Sequence, residues 1–193
     1  MNKQLMAAAL AAAVIAAPAQ ATTVALAADG TWNGFDVDNF IAADFGTGWI
    51  DNTDGSAENF TFTIAAGQVG TLTVLDAGYA GDTFSVTNFG SALGVTSSVP
   101  VGTYDGSDSV NFDDAFKDPS FSRGVFQLQA GSYSISGSLL QSVQFGGFDL
   151  DATTGAVRLS LSAIPEPSST ALMFAGLAAV ALLARRRKST PTI

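Results

Sequence analysis

Carboxylates are the side chains of this sequence whose types and spacing could do chemistry, because histidine and cysteine are both absent. That absence removes imidazole bases, thiolate nucleophiles, disulfides and Cys/His metal sites. Three groups of acids remain to be weighed. Asp76 and Asp82 flank a glycine-containing loop, Ala77-Gly78-Tyr79-Ala80-Gly81, of the kind from which Ca²⁺ draws hard oxygen ligands. The plainer expectation for both is turn capping. Asp149-Leu150-Asp151-Ala152-Thr153-Thr154-Gly155 begins like a calcium loop, but its glycine falls one position late and no acid closes it, so a hairpin turn is expected. Asp105, Asp108, Asp113, Asp114 and Asp118 form the third group. Paired carboxylates can do acid and base work on a sugar, but spacing alone supplies neither their separation nor a groove. A solvated acidic loop is the simpler expectation. No catalytic residue, no metal ligand and no enzyme activity is assigned, and Ca²⁺ is the one cofactor kept in view. Trp32, Trp49 and Tyr79 would stack on sugars if they shared an exposed face, and would otherwise belong to a core.

These side chains must be positioned by strands. Phe60-Thr61-Phe62-Thr63-Ile64 alternates apolar and polar residues with period two, as a strand with one buried face does. The pattern recurs at 71–75, 83–86, 125–128, 132–136 and 157–161, with a further strand expected over Gln141-Ser142-Val143-Gln144-Phe145. Asp54-Gly55, Gly81-Asp82, Asp105-Gly106 and Gly146-Gly147 punctuate these runs with turn chemistry. Many short strands with frequent turns predict an all-β, antiparallel sandwich. One short helical turn is expected around Asp113 to Lys117, stopped by Pro119.

Both ends of the chain differ from this middle. Lys3, the apolar stretch Leu5 to Ala17 and the small-x-small site Ala19-Gln20-Ala21 predict a signal peptide over residues 1–21. An acidic β domain is expected over 22–163 and a tail over 164–193. Ile164-Pro165-Glu166-Pro167-Ser168-Ser169-Thr170 precedes an apolar run from Ala171 to Ala184 and the basic cluster Arg185, Arg186, Arg187 and Lys188. Two prolines within three residues forbid a continuing helix or a central strand, so an extended, accessible break is expected there. A transmembrane helix is predicted over 168–184, with the four cations as a cytoplasmic stop that leaves the domain outside. As a helix the apolar run rises only about 21 Å, so spanning needs a thinned bilayer and snorkelling cations.

The 47 % hydrophobic content of the chain is inflated by these ends, and its net charge of −9 hides a more acidic interior. From Thr22 to Ala184 there are 3 basic and 17 acidic residues, a net charge of −14. Nucleic acid is a poor partner for such a surface, since phosphate binding needs cations.

The order Pro165-Glu166-Pro167, apolar helix, Arg185-Arg186-Arg187 resembles the PEP-CTERM sorting signal of Gram-negative bacteria. The resemblance covers about 25 of the 193 residues. It implies a membrane-embedded exosortase as processing partner, an inner-membrane-anchored precursor, removal of the tail, and delivery to the cell surface or an exopolysaccharide matrix. The extension Ser189 to Ile193 departs from the usual ending just after the arginines. The stretches Leu72 to Val86, Asp118 to Gly124 and Ala130 to Ile135 are similar to a domain that recurs among PEP-CTERM proteins, which implies a jelly-roll-like sandwich and no transferable activity. The expected function is therefore a non-enzymatic exported surface or matrix protein. A carbohydrate-binding module or a hydrolase acting on exopolysaccharide is the alternative, recognisable by a groove lined by Trp32 or Trp49 beside close carboxylates.

Overall fold

A computed structural model describes residues 21–41, 46–106, 111–164 and 169–187. The expected signal peptide lies outside these residues except for Ala21. Eleven strands and two helices are present among them: β1 (Thr22–Ala25), β2 (Asn33–Asp38), β3 (Glu58–Ile64), β4 (Gln68–Asp76), β5 (Thr83–Asn88), β6 (Ser91–Val95), α1 (Phe112–Lys117), β7 (Arg123–Leu128), β8 (Gly131–Gln141), β9 (Gln144–Phe145), β10 (Phe148–Asp149), β11 (Ala152–Ala163) and α2 (Ser169–Arg187). The strands form two layers, a five-stranded sheet in the order β1-β3-β8-β5-β6 and a four-stranded sheet in the order β2-β11-β4-β7, with β9 and β10 as a separate two-stranded ribbon. The chain crosses between the layers at β1 to β2, β2 to β3, β3 to β4, β4 to β5, β6 to β7 and β7 to β8, and once more between β8 and β11. The result is an all-β sandwich wound in a jelly-roll-like way. Its pairings are antiparallel except at one edge, where β1 runs parallel to β3 from Thr22↔Glu58 to Ala25↔Thr61.

The period-two runs become strands because their apolar face has a facing sheet to meet. On β3 Phe60 and Ile64 point inward, on β5 Phe84 and Val86, and on β11 Val157 and Leu159. At the centre Phe35 stacks on Trp49 with ring centroids 3.9 Å apart, and Phe84 meets Phe35 edge-on at 5.2 Å. Burying an aromatic ring of this size stabilises the fold by about 1.5–3 kcal/mol. Two glycines make room for the rings. A Cβ on Gly155 would stand 2.2 Å from the Phe35 ring, and one on Gly137 would stand 2.6 Å from Trp49.

A smaller apolar cluster lies on the outer side of β4, where Leu75, Ala77, Ala115 and Phe121 pack with Trp32, Phe112 and Phe116. It is closed by α1, whose N-terminus is capped by the Asn111 carboxamide oxygen accepting from the Asp113 and Asp114 N–H groups at 3.1 Å each. The helix ends before Asp118-Pro119, as the proline requires.

The strand expected over 141–145 is broken. Gln141 ends β8, Val143 donates its N–H to the Asp82 carboxylate at 2.7 Å, and only Gln144–Phe145 resume pairing. The alternating pattern was present, but a buried side chain captured the main-chain donor that a ladder would have used.

Candidate functional site

Two regions carry the candidate chemistry, the tail beyond β11 and the loop between β4 and β5. The sandwich ends at Ala163, and the Ile164 N–H donates to the Gly67 carbonyl at 2.8 Å. Pro165, Glu166 and Pro167 lie outside the described residues. Beyond them α2 occupies Ser169–Arg187, with the described side chains of Leu172, Met173, Phe174, Leu177, Val180, Leu182 and Leu183 all exposed. Arg185, Arg186 and Arg187 form its last turn, and Lys188 lies outside the described residues. Among the described residues no helix is long and apolar enough to cross a membrane. This corrects the transmembrane helix expected over 168–184, and the inner-membrane anchor loses its support with it. The apolar run has only 14 residues, diluted by six alanines and a glycine, and the helix then fills with arginines.

The loop between β4 and β5 brings Asp76 and Asp82 together in a fully buried position. The Asp82 N–H donates to Asp76 Oδ2 at 3.2 Å, and Asp82 Oδ1 accepts from the Val143 N–H at 2.7 Å. Turn capping, the plainer expectation, accounts for Asp76 Oδ2 alone, because Asp82 Oδ1 reaches a main-chain donor 61 positions away. The remaining two oxygens, Asp76 Oδ1 and Asp82 Oδ2, are buried without a hydrogen-bond partner. Thr153, 6 % exposed, faces the Asp82 carboxylate and favours its charge, yet Thr153 Oγ1 is likewise without a partner at hydrogen-bonding geometry. Loss of hydration raises both acids, Asp76 to about 9 with a further push from the charge of Asp82, and Asp82 to about 6. Asp149 and Asp151 fall between β10 and β11, which do not pair with each other, so the hairpin expected there is not formed; Asp151 stands in the left-handed region at φ 50° just before β11.

The acids of the third group do not converge. Asp113 and Asp114 sit in the first turn of α1, where negative charge faces the helix N-terminus. Asp113 accepts from Trp32 Nε1 at 3.0 Å, and Asp114 pairs with Lys117 at 3.3 Å. Asp118 accepts from the Ser120 N–H, which lowers its pKa. Asp105 lies in the loop after Tyr104, and Asp108 lies outside the described residues. Among the described residues no three acidic side chains are gathered closely enough to cage a metal ion.

The aromatic candidates part company. Trp49 is 2 % exposed and belongs to the core. One face of Trp32 is covered by the Arg158 guanidinium 4.2 Å from its ring, and the same guanidinium lies 4.4 Å from Phe116. Neither lines an open groove. Tyr79 instead joins a row with Tyr104 at 4.9 Å, which meets Phe145 at 5.6 Å. Phe145 and Phe148 face solvent opposite each other on the β9–β10 ribbon.

A further acidic pocket is not apparent from the sequence motifs. Asp36, Asp38, Asp51 and Asp54 line a cavity of about 240 Å³ together with Asn52 and Thr53. Glu58, nearly buried at the start of β3, has an unpartnered Oε2 and is pushed up to about 8 by burial and by the charges of Asp51 and Asp36. The signal that would have found it is the alternation Phe35-Asp36-Val37-Asp38, a strand with acids on its outward face.

No curated protein matches the chain. Among solved structures it is similar to the pre-peptidase C-terminal domain of a collagenase from Bacillus anthracis, at 12 % identity and a TM-score of 0.38, over 75 % of this chain and 98 % of that one. It is also similar to PliG, a periplasmic inhibitor of g-type lysozyme from Aeromonas hydrophila, at 13 % identity and a TM-score of 0.31, over 74 % of this chain and 98 % of that one. A family model, the PEP-CTERM protein-sorting motif, matches residues 163–188. With the proline break, the apolar run and the arginine turn in the same order, the C-terminal segment of this chain is a PEP-CTERM sorting motif, which implies export, an exosortase as processing partner and sorting to the cell surface.

Proposed function

We propose that this chain is a non-enzymatic surface or extracellular-matrix protein whose acidic β-sandwich is the delivered cargo and whose tail is the handle for an exosortase. The observation that carries the proposal is positional: the sorting motif begins at residue 163, the last residue of β11. The recognised segment therefore starts where the ladder hydrogen bonds stop, and removing the residues beyond Ile164 leaves every strand pairing intact. A net charge of −13 between Thr22 and Ile164 keeps copies of the cargo apart and well hydrated, which suits an exposed protein. Intact mass and cell fractionation in a host with and without its exosortase test the reading. Loss of the mass beyond Pro165-Glu166-Pro167 only when the enzyme is present, with the sandwich at the surface, is the expected result; an unchanged tail in both strains overturns it.

Binding of exopolysaccharide is a second reading, favoured by the row Tyr79, Tyr104 and Phe145 beside the exposed Phe148. Such rows offer apolar ring faces to sugars. Retardation of the chain in gels containing the host's exopolysaccharide, relieved by Phe145→Ala with Phe148→Ala, is its test; equal mobility with and without the polymer counts against it. Hydrolysis has less support, because Trp49 is sealed in the core and Asp113, Asp114 and Asp118 serve the ends of α1.

A further inference from the structure

We propose that the Asp76–Asp82 loop, with Thr153, is a structural binding site for a hard divalent cation, Ca²⁺ before Mg²⁺, set inside one end of the sandwich. The premise is an imbalance of oxygens. Three buried side-chain oxygens around one loop, Asp76 Oδ1, Asp82 Oδ2 and Thr153 Oγ1, are without a hydrogen-bond partner. Folded interiors rarely leave polar atoms so, since each such oxygen forfeits about 1–3 kcal/mol of hydration. The residues that carry them adjoin at Asp82, whose N–H donates to Asp76 Oδ2 at 3.2 Å and whose carboxylate charge the Thr153 side chain favours. The charges of the two buried carboxylates also repel each other. A single cation answers both problems, because it takes up the unused lone pairs and neutralises the charge.

Thr153 is the independent element. It comes from β11, 71 positions beyond Asp82 in sequence, and nothing in turn capping by Asp76 or Asp82 calls for a buried hydroxyl at that point. Its place beside the loop is held open by Gly78, where a Cβ would lie 2.6 Å from Thr153 Oγ1. The donor set of two carboxylates and one hydroxyl is all oxygen, as hard cations require. It is also short of a full cage, consistent with no three acidic side chains gathering among the described residues. Main-chain oxygens and water complete such a shell. That irregular arrangement suits Ca²⁺, which accepts 6–8 ligands in flexible geometry, better than Mg²⁺, which demands a regular octahedron and dehydrates reluctantly.

The site ties three distant segments together: the end of β4, the break after β8 through Val143, and the start of β11 through Thr153. Occupancy therefore stabilises the closed end of the sandwich, and it does so outside the cell, where calcium is plentiful and sites of millimolar to submillimolar affinity are filled.

The test is thermal unfolding of the full-length chain at neutral pH in chelator, then in millimolar CaCl₂ or MgCl₂, with calorimetric titration of CaCl₂ into the chelated protein. Calcium is expected to raise Tm by about 3–6 °C with a stoichiometry of one, and magnesium by less. Asp82→Asn, a near-isosteric change, is expected to abolish the shift while the variant still folds, and Asp113→Asn on the surface is expected to keep it. No shift in the parent chain overturns the proposal, and the two carboxyls then simply share a proton. A shift that survives both Asp82→Asn and Asp76→Asn also overturns it, by placing the cation elsewhere on the acidic surface.

Discussion

In chelator, this protein should become less stable as the pH rises from about 5 to about 7, and Asp76→Asn should remove about 3 kcal/mol of that loss while the shares of Asp82 and Glu58 stay. The Asp76 carboxyl ionises near 3.8 when exposed and only at about 9 in the fold, because burial withholds water from its charge and Asp82 opposes it. Throughout the chosen window the folded chain holds the Asp76 proton and the unfolded chain has lost it. Unfolding then releases a proton and is favoured by rising pH, so the stability is fully present below about pH 4 and is drained as pH climbs toward about 9. One such group gives a slope of about 1.4 kcal/mol per pH unit, or up to about 3 kcal/mol across two units. Asp82 adds to the slope in the lower part of the window, until its folded value of about 6 is passed, and Glu58, raised to about 8, acts in the same direction. General repulsion within an acidic protein adds a smooth contribution of the same sign, which is why the variant is needed. Asparagine at position 76 cannot ionise, and its carboxamide oxygen keeps an acceptor for the Asp82 N–H. At about pH 7 in chelator the variant should be more stable than the parent, by up to about 4 kcal/mol if the full cost of protonating Asp76 is recovered. Urea unfolding of both chains, followed by tryptophan emission at several pH values, reads this out directly. A parent whose stability is flat or rises over the window, or a variant that keeps the parent's slope, refutes the reasoning.

The remaining expectations concern packing and the acid limb. Gly155→Ala forces a Cβ to within 2.2 Å of the Phe35 ring and should cost about 1–3 kcal/mol in urea unfolding, with the aromatic near-ultraviolet circular dichroism altered. Trp49→Ala empties the centre of the aromatic cluster and should cost about 3–5 kcal/mol by the same assay. Arg158→Ala uncovers Trp32 and Phe116 and should cost about 1 kcal/mol, with a change in the Trp32 emission that Arg158→Lys only partly prevents. Asp29, Asp54 and Asp118 have lowered pKa values through turn hydrogen bonds, so stability should also fall on acidification below about pH 4; a profile still rising at the lowest pH argues against those turns.

The sequence by itself determined the features carried by contiguous residues. The proline break, the apolar run and the arginines at 165–187 are recognised as one linear segment, so their order alone identifies the sorting motif. Strands such as Phe60 to Ile64 were legible because alternation is a local property that any facing sheet will satisfy. The short strands β1, β6 and β10 were not, because their pairing partners, more than their own patterns, make them strands. Helix length was legible too, but its consequence was misjudged: 14 apolar residues ending in arginines do not make a span. Tertiary structure decided the roles of side chains. Trp49 and Trp32 are alike in composition, yet one stacks on Phe35 in the core and the other lies under Arg158. Asp76 and Asp82 looked like turn caps, and became a buried pair only when β11 delivered Thr153 and the break after β8 delivered Val143. Burial, desolvation and the meeting of residues 61 or 71 positions apart arise from two sheets closing on each other, and no local pattern encodes them.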